Sequence, residues 1–288
     1  MRWVVVGSNG MLGTDVMAAL AHAGHEAVGL DRAQVDVTDA RAVDAALPDA
    51  DVVVNCAAWT AVDAAEEQEA AAFAVNAAAP SYLARAARER GARLVQVSTD
   101  YVFAGDATDP YGEDHPVAPR SAYGRTKAAG EWAVRAEHPD ALVVRTAWLY
   151  GAAGSCFPRT IARVAVERGS LGVVDDQVGQ PTWTVDLADL ILRLVAAGAP
   201  GGTYHGTSSG STSWFGFAQA VVASAGMDPA IVAPTATDAS ERPAPRPSYS
   251  VLGHGALHAA GVTPIGGWRE RWAAAGAVVL GHGAPSAR

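Results

Sequence analysis

Cysteine is almost missing from this chain of 288 residues, which holds only Cys56 and Cys156. That excludes a disulfide framework and a zinc site built from paired C-x-x-C, and it leads us to expect two buried thiols in a reducing compartment. Basic blocks are missing too: 21 Lys and Arg face 30 Asp and Glu, for a formal net charge of -9. With no cluster to neutralise phosphates, a nucleic-acid partner is not expected. No apolar run reaches the roughly 18 residues of a spanning helix, so no membrane partner is expected either. The opening Met1-Arg2-Trp3-Val4-Val5-Val6-Gly7 reads as a strand entering a glycine turn, without a signal peptide's cleavage region, and a cytoplasmic location follows as an expectation. Charge itself is modest at 18% beside 50% hydrophobic residues, which excludes the disordered regime.

What is present is alternation. Trp3–Val6, Glu26–Leu30, Val52–Asn55, Arg93–Ser98 and Ala141–Thr146 read as strands, with helices over Met11–Ala23 and Phe73–Arg90 between them. Strands separated by helices call for parallel pairing, so the fold class is α/β, a doubly wound parallel sheet of Rossmann type. After Thr146 the rhythm loosens. Helices over Thr160–Glu167 and Leu187–Ala197 and strands at Leu171–Val174 and Thr203–His205 are punctuated by glycine and proline. Short helices near Ala256–Ala260 and Trp268–Ala274 close the chain, and the proline-rich Pro229–Pro247 reads as a surface loop. At about 100–200 residues per domain the chain divides into two lobes. We expect one lobe to be residues 1–148 with about 182–205, and the other, a smaller α/β unit, to be 149–181 with 206–288.

Gly7-Ser8-Asn9-Gly10-Met11-Leu12-Gly13 places glycines at i, i+3 and i+6 between a strand and a helix. The first permits a tight turn, the second lets the backbone approach a pyrophosphate, the third lets the helix pack closely, and the helix N-terminus favours negative charge. Asp31, at the end of the second strand, suits an adenosine ribose hydroxyl and favours NADH. Arg32 beside it suits a 2′-phosphate and favours NADPH, so both cofactors stay open. Asp36 falls where a carboxylate reaches an adenine amino group. Asp15 is the one nearby carboxylate that suits a metal, and spacing gives it no partner, so no metal is expected.

A second constellation joins Ser98-Thr99-Asp100-Tyr101 to Tyr123-Gly124-Arg125-Thr126-Lys127. Tyr123 and Lys127, at i and i+4, share a helix face. A cation held near the phenol is expected to lower its pKa toward neutrality for proton transfer, with Thr99 holding a carbonyl oxygen in line. Trp148 offers an aromatic face to a pyranose, and Arg246 a guanidinium to a diphosphate.

These segments, with Asn55–Asp63, Arg145–Gly151, Asp175–Thr182 and Arg246–Leu252, resemble the dTDP-4-dehydrorhamnose reductases, which are extended short-chain dehydrogenases. The resemblance implies NADPH-dependent reduction of the C4 ketone of dTDP-4-dehydro-L-rhamnose, or of a related dTDP-4-keto-6-deoxyhexose, by a monomer or homodimer. Tyr123 would be the proton donor, Lys127 its support and the ribose ligand, and Thr99 the third catalytic residue. By the same matching Gly7, Asn9, Gly10, Met11, Leu12, Asp31, Arg32, Asp36, Val37, Ala57, Ala58 and Thr60 would line the cofactor. Thr60, Val62, Thr99, Tyr101, Tyr123, Trp148 and Arg246 would line the sugar nucleotide. Related 4,6-dehydratases carry Asp-Glu after the threonine, whereas this chain has Asp100-Tyr101. Without the second carboxylate, elimination is disfavoured and reduction remains. Two other readings stay open: a reductase for a secondary-metabolite sugar such as dihydrostreptose, and a non-catalytic regulatory subunit resembling the beta subunit of methionine adenosyltransferase.

Overall fold

The computed structural model describes residues 1–239 and 242–281. Its first half contains β1 (Arg2–Val6), α1 (Met11–His22), β2 (Glu26–Leu30), α2 (Ala40–Ala46), β3 (Val52–Asn55), α3 (Val62–Glu67), α4 (Glu69–Phe73), α5 (Ala79–Glu89), β4 (Arg93–Thr99), α6 (Ala122–Glu137) and β5 (Leu142–Thr146). There follow β6 (Leu149–Tyr150), α7 (Phe157–Arg168), β7 (Leu171–Val174), β8 (Val178–Gly179), β9 (Thr182–Trp183), α8 (Thr184–Ala196) and β10 (Gly202–His205). The chain closes with β11 (Ser208–Ser209), β12 (Thr212–Ser213), α9 (Trp214–Ser224), β13 (Val232–Thr235), α10 (Gly255–Ala259), β14 (Ile265–Gly267) and α11 (Trp268–Leu280).

Six strands form one parallel sheet in the order β10-β5-β4-β3-β1-β2. The valine runs build it because alternate side chains point to opposite faces and both faces are covered. Trp3 and Val5 of β1, with Val52 and Val54 of β3, pack with Leu187, Leu190 and Ile191 of α8. Val4, Val6 and Val53 pack on the other side with Leu83 and Ala87 of α5 and with Val134 of α6. A separate core joins Tyr150, Ile161, Phe217, Trp268 and Trp272 across β6, α7, α9 and α11. Among the described residues no helix is long and apolar enough to cross a membrane.

Three expectations need correction. The helix expected over Phe73–Arg90 is split: a π-helical turn at Ala74–Ala78 separates α4 from α5 and buries Asn76. Pro229–Pro247 is not wholly loop, since β13 pairs in parallel with β7 through Val232–Leu171 to Thr235–Val174; Ser240 and Glu241 lie outside the described residues. Of the two cysteines only Cys156 is buried, and Cys56 is half-buried at the end of β3. Helix α9 had no counterpart in the sequence reading. Its apolar, aromatic start lacks a polar stripe, and its one signal is Ser213, whose Oγ accepts from the Gly216 amide at 3.1 Å.

Candidate active site

The C-terminal ends of the parallel strands open onto a cleft of about 900 Å³ lined by Gly7, Asn9, Gly10, Asp31, Arg32, Asp36, Val37, Ala57 and Ala58, with Cys56 and Trp59 beside them. That is where an open α/β sheet binds its ligands. The turn after β1 can only be made by glycine. Gly7 has φ +79°, and a Cβ there would stand 2.7 Å from the Ala57 amide nitrogen. A Cβ on Gly13 would stand 2.2 Å from the Gly7 carbonyl oxygen, so α1 packs directly on the turn. Met11 and Leu12 begin α1, and Leu12 turns into the core rather than the cleft.

Asp31 is already engaged. Its carboxylate accepts from the Asn9 amide and, at 2.8 Å, from the Ala33 backbone. A ribose hydroxyl would have to share oxygens that these donors hold, whereas Arg32 is exposed on the cleft wall. Asp36 accepts from the backbone and hydroxyl of Thr38 at 2.9 and 2.7 Å, bonds that hold its carboxyl below the usual carboxylate range. Below the cleft, Asn55 accepts from the Ala57 amide, and Asn76 accepts from Trp59 N and donates to Trp59 O and Thr126. Sequence reasoning missed Asn76. Its only signal would have been the π-helical turn, which no periodicity announces.

Helix α6 brings the second constellation together. Ser121 caps it by accepting from the Gly124 amide at 3.1 Å, and a Cβ on Gly124 would stand 2.2 Å from the Tyr101 carbonyl oxygen. The helix start therefore lies hard against the Thr99–Tyr101 turn. The Tyr101 and Tyr123 rings meet edge to face at 5.5 Å, and the Thr99 hydroxyl acts on the Tyr123 phenol in the direction that lowers its pKa. Thr99 Oγ1 itself donates to Asp100 Oδ1 at 2.9 Å and accepts from the Tyr101 amide at 3.3 Å.

The expected lowering of the Tyr123 pKa is not found. Burial pushes the phenol up to about 12, with the Asp100 charge adding to the rise and the Thr99 hydrogen bond opposing it. Lys127 is buried, its Nζ donating to the Val97 carbonyl at 2.6 Å, and burial pulls its pKa down to about 8 against the opposing pull of Glu131 and Cys56. The site therefore holds a neutral phenol, the form that an acid needs. Glu131 anchors the same region by accepting from Ser98 at 2.6 Å and from buried Arg145 at 2.8 and 2.7 Å.

Two substrate-side expectations meet occupied groups. Arg246 pairs with Asp63 at 2.7 Å and donates to the Ala244 carbonyl, so its guanidinium does not lie free for a diphosphate. The Trp148 ring is stacked on Trp214 at 3.5 Å and abuts Gly179, so one face is taken, and its backbone is left-handed at φ +46°. Thr60 is exposed on the loop leading to Val62, the first residue of α3. Asp15 accepts a hydrogen bond from the Thr184 hydroxyl at the start of α8. Among the described residues no group of three or more His, Cys, Asp or Glu is placed to hold a metal ion.

A sequence model of the RmlD substrate binding domain matches residues 1–278. A dTDP-4-dehydrorhamnose reductase of Streptomyces griseus is 49% identical over 93% of this chain and 90% of its own. A probable dTDP-4,6-dihydroxy-2-methyloxan-3-one 4-ketoreductase of Streptomyces antibioticus is 50% identical over 94% of this chain and 92% of its own. Among solved structures, a Bacillus anthracis dTDP-4-dehydrorhamnose reductase in complex with NADP superposes with TM-score 0.90 at 36% identity, covering 93% of this chain and 96% of that one.

Proposed function

The chain belongs to the RmlD substrate binding domain family, and from that premise we propose that it is an NADPH-dependent reductase of the C4 ketone of a dTDP-4-keto-6-deoxyhexose. dTDP-4-dehydro-L-rhamnose, giving dTDP-L-rhamnose, is the substrate we infer within that class. Relatives named for dTDP-4-dehydrorhamnose and for dTDP-4-keto-6-deoxy-D-glucose, at 49% and 46% identity, support the class. The observation that carries the reading is the packing of the α6 start on the Thr99–Tyr101 turn, with Lys127 of the same helix buried on the Val97 carbonyl and acting on Cys56 in the wall of the cleft of about 900 Å³.

The cleft suits a dinucleotide. Gly7 and Gly13 let the turn pack on Ala57 and on α1 where any Cβ would strike backbone, and in this reading the amides at the start of α1 meet a pyrophosphate. Met11 and Leu12 would contribute those amides, and Gly10, its own amide bonded to the Gly7 carbonyl, the close approach of the backbone, with Ala57, Ala58 and Thr60 the wall toward the nicotinamide. Arg32, exposed beside an Asp31 already bonded to Asn9, favours a cofactor with a 2′-phosphate. When bound, NADPH supplies the hydride.

Tyr123 gives its proton to the oxygen at C4. Its pKa near 12 keeps it protonated at neutral pH, and an alkoxide is a strong enough base to take that proton. Lys127, charged below about pH 8, supports the phenolate left behind and offers its remaining N–H bonds to the ribose. Val62, Tyr101 and Trp148 form the sugar's surroundings in this reading. Arg246 reaches a diphosphate only by sharing donors with Asp63. Residues 1–148 with 182–205 act as the cofactor domain, and 149–181 with 206–288 as the sugar-nucleotide domain. The separate core around Phe217 and Trp272 supports that division.

The test is NADPH and NADH oxidation at 340 nm with a panel of dTDP- and UDP-4-ketosugars, for the wild type and Tyr123→Phe. The variant should lose at least about a hundredfold in kcat, the usual contribution of a positioned acid, while binding NADPH normally. An unchanged rate refutes the role of Tyr123. Absence of turnover on every ketosugar, together with co-purification of an unrelated catalytic chain, would favour a regulatory subunit.

A further inference from the structure

Asp100 is buried beside the reacting groups, yet the reduction described above does not use it. Its Oδ1 accepts the Thr99 hydroxyl at 2.9 Å, while Oδ2 has no hydrogen-bond partner. The Ser250 hydroxyl, from the late Arg246–Leu252 segment, lies close enough to favour the ionised carboxylate, but it too is buried without a regular hydrogen bond. A carboxylate with one oxygen buried without a donor is costly, which favours the neutral acid.

We propose that Asp100 is a positioning residue that sets the direction of the hydrogen-bond chain running from its carboxyl through the Thr99 hydroxyl to the Tyr123 phenol. This rests on the reading of Tyr123 as proton donor to the C4 oxygen. A hydroxyl has a single proton to give. While Asp100 is ionised, that proton points at Oδ1, and Thr99 can only accept from Tyr123, which turns the phenol's proton away from a substrate. When Asp100 is neutral with its proton on Oδ1, that O–H donates to Thr99. The Thr99 proton is then free for the ketone oxygen, or for the phenolate that Tyr123 becomes.

The surroundings make the carboxyl responsive in the working range. Burial raises its pKa to about 6, against the nearby Ser250 hydroxyl, the Thr99 hydrogen bond and the amides of its own turn. Tyr101 and Tyr123 are the titratable groups that feel its charge, with Arg246 and Asp63 acting on Tyr101 beyond it. Lys127 is committed to the Val97 carbonyl, and Glu131 to Ser98 and Arg145.

The experiment compares wild type, Asp100→Asn and Asp100→Ala by the pH profile of kcat/KM with NADPH and a dTDP-4-ketosugar. It is paired with the Tyr123 ¹³Cζ resonance in ¹³C-tyrosine protein. Asn can donate to Thr99 as the neutral acid does. Wild-type kcat/KM should fall about tenfold per pH unit above a break near pH 6. The floor should be on the order of a hundredfold lower, the effect of one lost donor. Asp100→Asn should lack that break and hold the acid-side rate to about pH 8, where Lys127 begins to lose its charge. Asp100→Ala removes both the acceptor that pins the Thr99 proton and the acid that donates to it, so it should also lack the break and run level between the two wild-type limits. The Tyr123 resonance should step with the Asp100 titration in wild type and stay level over the same range in Asp100→Asn. A wild-type break retained in Asp100→Asn, or a Tyr123 resonance that ignores Asp100, overturns the proposal. If no ketosugar is turned over, the reductase reading fails and the resonance alone decides this one.

Discussion

Substituting Gly13 with alanine should separate cofactor binding from general stability, because the cost of the added methyl can be read from its neighbours. The new Cβ would stand 2.2 Å from the Gly7 carbonyl oxygen, 2.8 Å from Ser8 Cα and 2.9 Å from Gly7 C, all backbone atoms. Ordinary contact needs about 1 Å more, so the turn must retreat, and side-chain rearrangement cannot absorb the change. The turn is held by the Gly7 amide on Leu30 O at 2.7 Å and by the Gly10 amide on Gly7 O at 3.0 Å. Overpacking of this kind costs about 1–3 kcal/mol. The better helix propensity of alanine returns up to about 1 kcal/mol. The net loss should lower Tm by a few degrees, at about 2–4 °C per kcal/mol for a chain approaching this size. Cofactor affinity should suffer more. A shift of about 1 Å in a ligand-holding loop is worth on the order of a hundredfold. Gly91→Ala is the control: it has φ +66° with nothing within 4 Å of a new Cβ, so it pays backbone strain of about 1–2 kcal/mol far from the cleft. Thermal unfolding and NADPH titration of both variants make the comparison. Normal NADPH affinity in Gly13→Ala would refute the claim that close packing at this residue shapes the site.

Three further outcomes follow from buried charges. The Lys127 pKa, pulled down to about 8 from 10.5, means that the unfolded chain holds more protons between those values. Conformational stability should therefore rise with pH across that window while NADPH affinity falls, and Lys127→Met should flatten both trends. His205 is buried with its Nδ1 on the Gly253 carbonyl, and burial drives its pKa down to about 3. The unfolded chain takes up a proton first, so stability should fall as pH drops from about 6.5 toward 3, by a few kcal/mol, and His205→Gln should show a shallower acid limb in urea titrations. Glu131→Ala leaves the Arg145 guanidinium buried without its carboxylate and should cost about 3–5 kcal/mol in chemical denaturation. A loss below 1 kcal/mol would mean that water replaces the pair.

Much of the sheet was legible because valine runs flanked by glycine admit few other conformations, and both of its faces are covered. The glycine turn was legible for a related reason: its spacing encodes a steric demand that the sequence states directly. Helix α9 failed this test, since Trp214-Phe215-Gly216-Phe217 carries neither helical periodicity nor strand alternation. The side chains whose roles changed share a different property. Asp31 is tied to Asn9, Trp148 to Trp214, and Arg246 to Asp63 at a separation of 183 residues. A motif identifies which group is present, but a donor or an aromatic face can serve a ligand only if no neighbour has already taken it.

The same distinction governs the Tyr123–Lys127 pair. Their spacing does put both on one helix face, but proximity along a helix does not fix where an ammonium group points. Lys127 Nζ is spent in part on the Val97 carbonyl, and burial acts on both side chains in the direction that favours their neutral forms. For an oxidation, which needs a phenolate ready to accept a proton, that arrangement would be poor. For a reduction it is suitable, since the acid must keep its proton until an alkoxide forms. The electrostatics of burial thus set the protonation state in which the phenol rests, the acid from which a reduction starts, and the residue pattern alone leaves that state undecided.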